Sequence, residues 1–177
     1  MNHHRMLGIA GFVVALAAAA LACGPLGDGG AAPAISGTVA PMTISSDLTQ
    51  IDVCAAVPAS IMEGAIGRKL AGQPTKFDFY GAAGASGCMF DGGKDANQQA
   101  YYGYVVLTPV GAYDDQPLYQ NKDVSGIGDE AYLNNGADTR QLWVRFKNKV
   151  AFVVGIGDVG PDETLITVGK LVAAAIK

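Results

Sequence analysis

Apolar residues change their spacing along this chain, and each change predicts a different element. Leu7 to Leu21 is an unbroken run of 15 apolar or small residues behind the basic start MNHHR. Residues 24 to 46 are rich in Gly, Ala, Pro, Ser and Thr, and Asp28 is their one charge. From Ile51 to Gly72 the pattern turns helical. Ile61, Met62, Ala65 and Ile66 recur at helical spacing, Pro58 suits a first turn, and Gly67 or Gly72 suits a stop. Lys76 to Tyr80 predicts a short strand with Phe77 and Phe79 on one face, and Ser86 to Phe90 predicts another. Tyr101 to Thr108 alternates, with Tyr102, Tyr104 and Val106 on one side and Tyr101, Val105 and Leu107 on the other.

The second half continues in the same way. Ala112 to Lys122 reads as a short helix, and a three-strand meander follows over Ala131–Leu133, Gln141–Lys147 and Val150–Ile156. Its turns fall at Asn134-Asn135-Gly136, a signal that accepts positive φ, and near Asn148. Leu142, Val144 and Phe146 alternate with Trp143 and Arg145, while Phe152, Val154 and Ile156 share a face. Residues 161 to 176 form the clearest helix. Pro161, Asp162 and Glu163 suit its positive end, and Leu165, Val168, Val172 and Ala175 form its buried stripe. Strands joined by short turns predict one α+β domain over residues 47–177. It is expected to hold an antiparallel sheet of about five strands with helices mainly on one face.

The N-terminal pattern decides location. A basic start, a short apolar run and small residues before Ala22-Cys23 make residues 1–22 a secretory signal peptide. The run is short for a membrane span, which needs about 20 apolar residues. Ala20-Leu21-Ala22-Cys23 resembles the lipobox of bacterial lipoproteins, with Ala20 where Leu is preferred. The resemblance implies that the Cys23 thiol receives diacylglycerol and becomes the mature N-terminus. Residues 23–46 then read as a lipidated cysteine and a flexible tether, because their composition buries too little to fold. The expected location is the outer face of the bacterial cell membrane, with the membrane itself a partner through the lipid.

Composition removes several chemistries. The whole chain has 12 Lys and Arg against 16 Asp and Glu, and its two histidines are His3 and His4. Cleavage before Cys23 leaves 11 basic against 16 acidic residues and no histidine. Ser-His-Asp and Cys-His catalysis, His-based zinc sites and histidine pH switching are thereby excluded. An acidic chain without a basic cluster also speaks against nucleic acid. No cofactor or metal is expected. Cys54 and Cys88 can make one intramolecular pair, most simply a structural disulfide in an exported domain. The alternative, a reactive thiol pair, lacks Cys-x-x-Cys spacing and a histidine neighbour.

The remaining candidates are few. Asp91, Asp95 and Asn97 hint at calcium, but Gly93 and Tyr102 stand where an EF-hand needs ligands, so this stretch reads as a hairpin loop. SGIGDEAYL (125–133) places Gly126 and Gly128 before Asp129 and Glu130, and GIGD recurs at residues 155–158. A dinucleotide fingerprint would need a third glycine and a following helix. The glycines are expected instead to permit a bulge or positive φ where the chain enters and leaves the meander. Asp129 with Glu130, or Asp91 with Asp158, could pair as in a glycosidase, yet strand neighbours point to opposite faces. Trp143, Tyr101, Tyr104 and Tyr132 are the candidate contact residues of a binding surface, the alternative being that most of them are core or half-buried sheet residues.

Taken together, the lipobox, the tether, Asp-Val-Cys-Ala-Ala-Val-Pro, Ser-Gly-Cys-Met-Phe and Ser-Gly-Ile-Gly-Asp-Glu-Ala-Tyr resemble, in that order, a group of small secreted lipoproteins of actinobacterial type. The resemblance spans residues 47 to 177, with Phe90 where many relatives carry Trp. It implies an envelope location, a Cys54–Cys88 bridge and an α+β fold, and it carries no activity. The expected function is a non-catalytic module that binds an envelope protein, glycan or lipid. The alternatives are a carrier of a hydrophobic ligand, which predicts a large apolar cavity between sheet and helices, and a carboxylate-dependent hydrolase.

Overall fold

A computed structural model describes residues 34–78, 83–114, 122–135, 139–146, 150–157 and 161–177. The expected signal peptide and Cys23 lie outside the described residues, as do Phe79, Tyr80, the Gly136 turn, Asn148 and Asp158. The strands are β1 (Thr75–Lys76), β2 (Ser86–Lys94), β3 (Ala100–Pro109), β4 (Lys122–Asp123), β5 (Glu130–Asn135), β6 (Thr139–Phe146) and β7 (Val150–Gly157). They form one antiparallel sheet of seven strands in the order β1-β2-β3-β7-β6-β5-β4.

The α+β antiparallel expectation holds, but the sheet is wider than five strands. The strand that no pattern predicted is β4, a two-residue edge too short to show a period, while β1 overlaps the strand predicted over Lys76–Tyr80 at Lys76. Strand β4 also corrects the predicted helix over Ala112–Lys122. Helix α3 spans only Gly111–Asp114, and Lys122 belongs to β4, opposite Leu133.

Three helices cover one face. The stretch predicted as a single first helix is broken at Val57-Pro58 into α1 (Val53–Ala56) and α2 (Ala59–Ile66). The residue before a proline is pushed out of the helical region, and Val57 is extended at φ −101°, ψ 107°. Asp52 caps α1 by accepting from the Ala55 amide at 3.0 Å. Gly67 ends α2 in the left-handed conformation at φ 76°.

Helix α4 (Asp162–Ala175) closes the layer over β6 and β7, burying Leu165, Val168, Val172 and Ala175. Each large apolar side chain buried there contributes about 1.5–3 kcal/mol. Asp162 in the first turn of α4 pairs with Arg140 of β6 and, at 3.4 Å, with Lys122 of β4. The Cys54–Cys88 disulfide is present, with Cα atoms 5.0 Å apart, and it ties α1 to β2.

The tether expectation needs correction for residues 34 to 46. This segment runs as a strap along the outside of the helix layer. Ile35 crosses α2 so closely that a Cβ on Gly64 would lie 2.6 Å from its Cα. Ser60 donates to the Ser36 carbonyl at 2.8 Å, and the Ala40 amide donates to the Ala56 carbonyl at 2.8 Å. Met42 then forms a parallel bridge to Ile176 just beyond α4. Val39 and Met42 are buried in the core. Two well-spaced apolar residues suffice because backbone groups, which carry no compositional signal, make the remaining bonds.

Candidate functional site

The face of the sheet away from α1, α2 and α4 carries the most specific side-chain chemistry. Alternation puts Tyr102, Tyr104 and Val106 of β3, Val153 of β7, Trp143 of β6 and Tyr132 of β5 on this side. Two tyrosines here lie flat across the neighbouring strand. Tyr104 is opposite Gly155, and a Cβ at Gly155 would collide with the Cζ–Cε1 edge of its ring. The ring therefore crosses β7 and reaches β6, where Gln141 donates to the Tyr104 hydroxyl at 2.6 Å. The Trp143 indole N–H donates in turn to Gln141 Oε1 at 2.8 Å. Tyr102 does the same one pleat along. A Cβ at Gly157 would sit 3.2 Å from its ring, and its hydroxyl meets Thr139 Oγ1 at 2.6 Å.

This geometry explains the second GIGD. Gly155 and Gly157 have no positive φ, contrary to the expectation for them. They are extended strand residues whose missing side chains leave room for two rings. The first GIGD behaves as predicted, with Gly126 at φ 79° and Gly128 at φ 60°. Gly128 also sits hard against β6, since a Cβ there would lie 2.6 Å from Val144 Cγ1. Buried Ile127 anchors this turn in the main core.

The aromatic cluster continues toward α3. Tyr132 stacks on Trp143 with centroids 6.4 Å apart, and Tyr113 of α3 packs on Tyr132 at 5.1 Å. Arg145 lies over the Tyr113 ring, pairs with Glu130, and approaches Asp114 at 3.5 Å. It thereby holds α3 to β5 and β6.

Of the four proposed contact residues, three are buried and Tyr101 is half-buried. Trp143 is fully buried, and Tyr104 and Tyr132 retain 4 % and 6 % of their surface. Tyr101 lies on the opposite face, under the Arg68 guanidinium at 4.4 Å. The four therefore do not make one surface. Sequence reasoning missed Gln141, Gly155 and Gly157. A signal for them existed: two glycines two apart in one strand, facing two tyrosines two apart in another.

Tyr132 is under tension of a chemical kind. Its hydroxyl is buried with no hydrogen-bond partner among the described residues. Burial first, then Tyr113 and the Asp114 carboxylate, push its phenol well above the ordinary value of 10. The neutral phenol is thus the folded form. Stability tied to it is complete below pH 10 and is lost as pH climbs beyond the unfolded-state value. Tyr132→Phe is expected to be as stable as wild type or about 1 kcal/mol better at pH 7, because an unpaired buried hydroxyl is removed. It should also lose less stability between pH 9 and pH 11 in urea titrations. A large loss at pH 7 would show that the hydroxyl has a partner.

Among the described residues the candidate carboxylates are engaged in separate places, and Asp158 lies outside them. Asp129 and Glu130 are both exposed, and Glu130 is held by Arg145. Asp91 accepts from the Gly93 amide at 2.7 Å, and Asp95 accepts from the Asn97 and Gln99 amides at 2.8 and 2.9 Å. These bonds shape the β2–β3 hairpin, as its sequence predicted. Among the described residues, no group of three or more His, Cys, Asp or Glu is placed to hold a metal.

A cavity of about 420 Å³ lies between the Ile44–Leu48 segment, Gly84 and Pro109. Another of about 270 Å³ lies between Thr49, Lys76–Asp78 and Ala85–Gly87. Both are at the rim of the sheet rather than between sheet and helices, where Leu142, Phe152, Val154 and Leu165 pack without exposure. The chain matches no protein-family model, no curated protein and no solved structure.

Proposed function

We propose that this protein is an exported lipoprotein, anchored to the outer face of the cell membrane through Cys23, whose domain is a non-catalytic binding module of the envelope. One observation carries the reading. Cys54 and Cys88 are joined in a disulfide, so Cys23 is the one cysteine of the chain left for another chemistry. Disulfides persist in oxidising compartments, which agrees with the export-type N-terminus. Several acyl chains on Cys23 would hold the protein at the bilayer, at about 0.8 kcal/mol per buried methylene.

The mature chain's lack of histidine and the engagement of Glu130, Asp91 and Asp95 in structural bonds favour binding over hydrolysis. The filled interface between sheet and helices favours a binding module over a carrier.

Cys23→Ser is expected to move the protein from the membrane fraction to the soluble extracytoplasmic fraction. Mass spectrometry of the wild-type mature protein should find diacylglycerol on Cys23. A Cys23→Ser protein that stays with the membrane would refute lipid anchoring. Native mass spectrometry of the wild-type domain addresses the binding reading, since a co-purifying lipid would favour the carrier.

A further inference from the structure

The rim cavity beside Gly84 and Pro109 has fixed walls on two sides. One wall continues the strap. The Met42 and Ile44 amides donate to the Ala175 and Lys177 carbonyls at 2.8 and 3.3 Å, which sets where Ile44 meets the cavity. Asp47 then caps the short helical turn Leu48–Gln50, accepting from the Thr49 amide at 3.0 Å and from the Gln50 side chain at 3.3 Å, and Leu48 is buried. The other wall is Gly84, just ahead of β2, and Pro109, the last residue of β3, where the two strands pair Ser86 with Leu107. Ser86 ties the walls together by donating to the Ile51 carbonyl at 2.6 Å. Gly84 has φ +81°, and a Cβ there would lie 3.6 Å from Pro109 Cγ, so its lack of a side chain leaves that flank of the proline ring clear.

A preformed cavity of about 420 Å³ falls within the size range of small-molecule sites. Its chemistry is one-sided. Ile44, Leu48 and Pro109 give it an aliphatic surface, and Ser45, Ser46 and Asp47 add hydroxyls and a carboxylate. Among the described residues that line it there is no Lys or Arg, and Lys177, bonded to Ile44 through its main chain, is not one of them. The Thr49 hydroxyl bonded to Asp47 holds that carboxyl below its usual range, so the rim is negative at neutral pH. An anionic head is repelled there, an ammonium is attracted, and an aliphatic chain covers the apolar walls. We propose that this cavity binds a small aliphatic ligand ending in an ammonium group, with the chain against Ile44, Leu48 and Pro109 and the ammonium at Asp47. This site deepens the reading of the domain as a non-catalytic binding module and rests on it.

The test titrates n-hexylammonium into the isotope-labelled Cys23→Ser protein, which has no acyl chain to compete, and follows the backbone amides by NMR. Hexanoate, of the same length and opposite charge, is the control. Hexylammonium is expected to shift the amides of Ile44–Leu48 and Gly84 saturably, with a Kd on the order of 1 mM, and hexanoate to bind about tenfold or more weakly. Ser46→Trp, at an exposed position, should fill the cavity and remove the shifts. Asp47→Asn keeps the cap and should erase the preference for the cation. Hexylammonium that leaves these amides unshifted, or shifts them without saturation, overturns the site. Hexanoate binding as tightly, or a preference that survives Asp47→Asn, overturns the ammonium at Asp47. Conversion of hexylammonium during the titration, seen in its own proton spectrum, overturns the non-catalytic reading instead and leaves the site standing.

Discussion

Converting Cys54 and Cys88 together to alanine is expected to remove about 3–4 kcal/mol of folding stability, the chain-entropy value for a loop of this length. The two residues are 34 apart in sequence, and their bridge joins a one-turn helix to a central part of β2. A four-residue helix has almost no stability of its own, so α1 depends on that attachment and on burial of Val53 and Ala56. A fall in Tm of about 10 °C or more should accompany the loss. Hydrogen exchange should accelerate first in residues 53–57. The same shift should follow reduction of the wild-type protein by dithiothreitol. A change below about 1 kcal/mol in both experiments would mean that packing alone holds α1, and that the bridge constrains little in the unfolded chain.

Gly155→Ala should cost about 2–3 kcal/mol, as overpacking does in a well-filled site. Alanine usually strengthens a strand relative to glycine by roughly 0.5–1 kcal/mol, so the sign itself is diagnostic. The cost arises because the new Cβ occupies the place of the Tyr104 ring. That ring cannot swing aside freely, being 4 % exposed and bonded to Gln141, which also receives the Trp143 indole. In a Tyr104→Ala background the same substitution should become neutral or stabilising. A double-mutant cycle by urea denaturation measures the coupling. If Gly155→Ala were equally costly with and without the tyrosine, the ring would not be what the glycine accommodates.

The regular elements were legible because each carries its period locally. The helical stripe Ile61, Met62, Ala65, Ile66 identified a buried face, and the alternation of β3, β6 and β7 grouped the residues that share a side of the sheet, as the two buried clusters show. The Cys54–Cys88 pair was legible by count. The strap was not, because most of its bonds are made by backbone groups and of its side chains only Val39 and Met42 are fully buried in the core, with Ile35 and Ile44 packed at its margin. The edge strand β4 was invisible for a related reason, since a two-residue strand has no period to read. The aromatic residues were ambiguous, and the structure decides for the core alternative at three of them. Trp143, Tyr104 and Tyr132 exceed what one core face needs, which suggested exposure, but they build a second cluster on the reverse of the sheet.

What the amino-acid order determined by itself is therefore local and chemical: an apolar run near the N-terminus, helix and strand periods, one cysteine pair for the domain, and no histidine beyond His4. The tertiary structure alone decided that β3 and β7 are neighbours, which seats Tyr102 and Tyr104 over Gly157 and Gly155. It alone decided that residues 34–44 lie along the helices and end beside the C-terminus. The physical reason is common to both. Periodicity is a property of a few consecutive residues, whereas a ring over a glycine, or a carbonyl meeting an amide 133 residues away, depends on which surfaces the folded chain brings together (Met42 and Ala175).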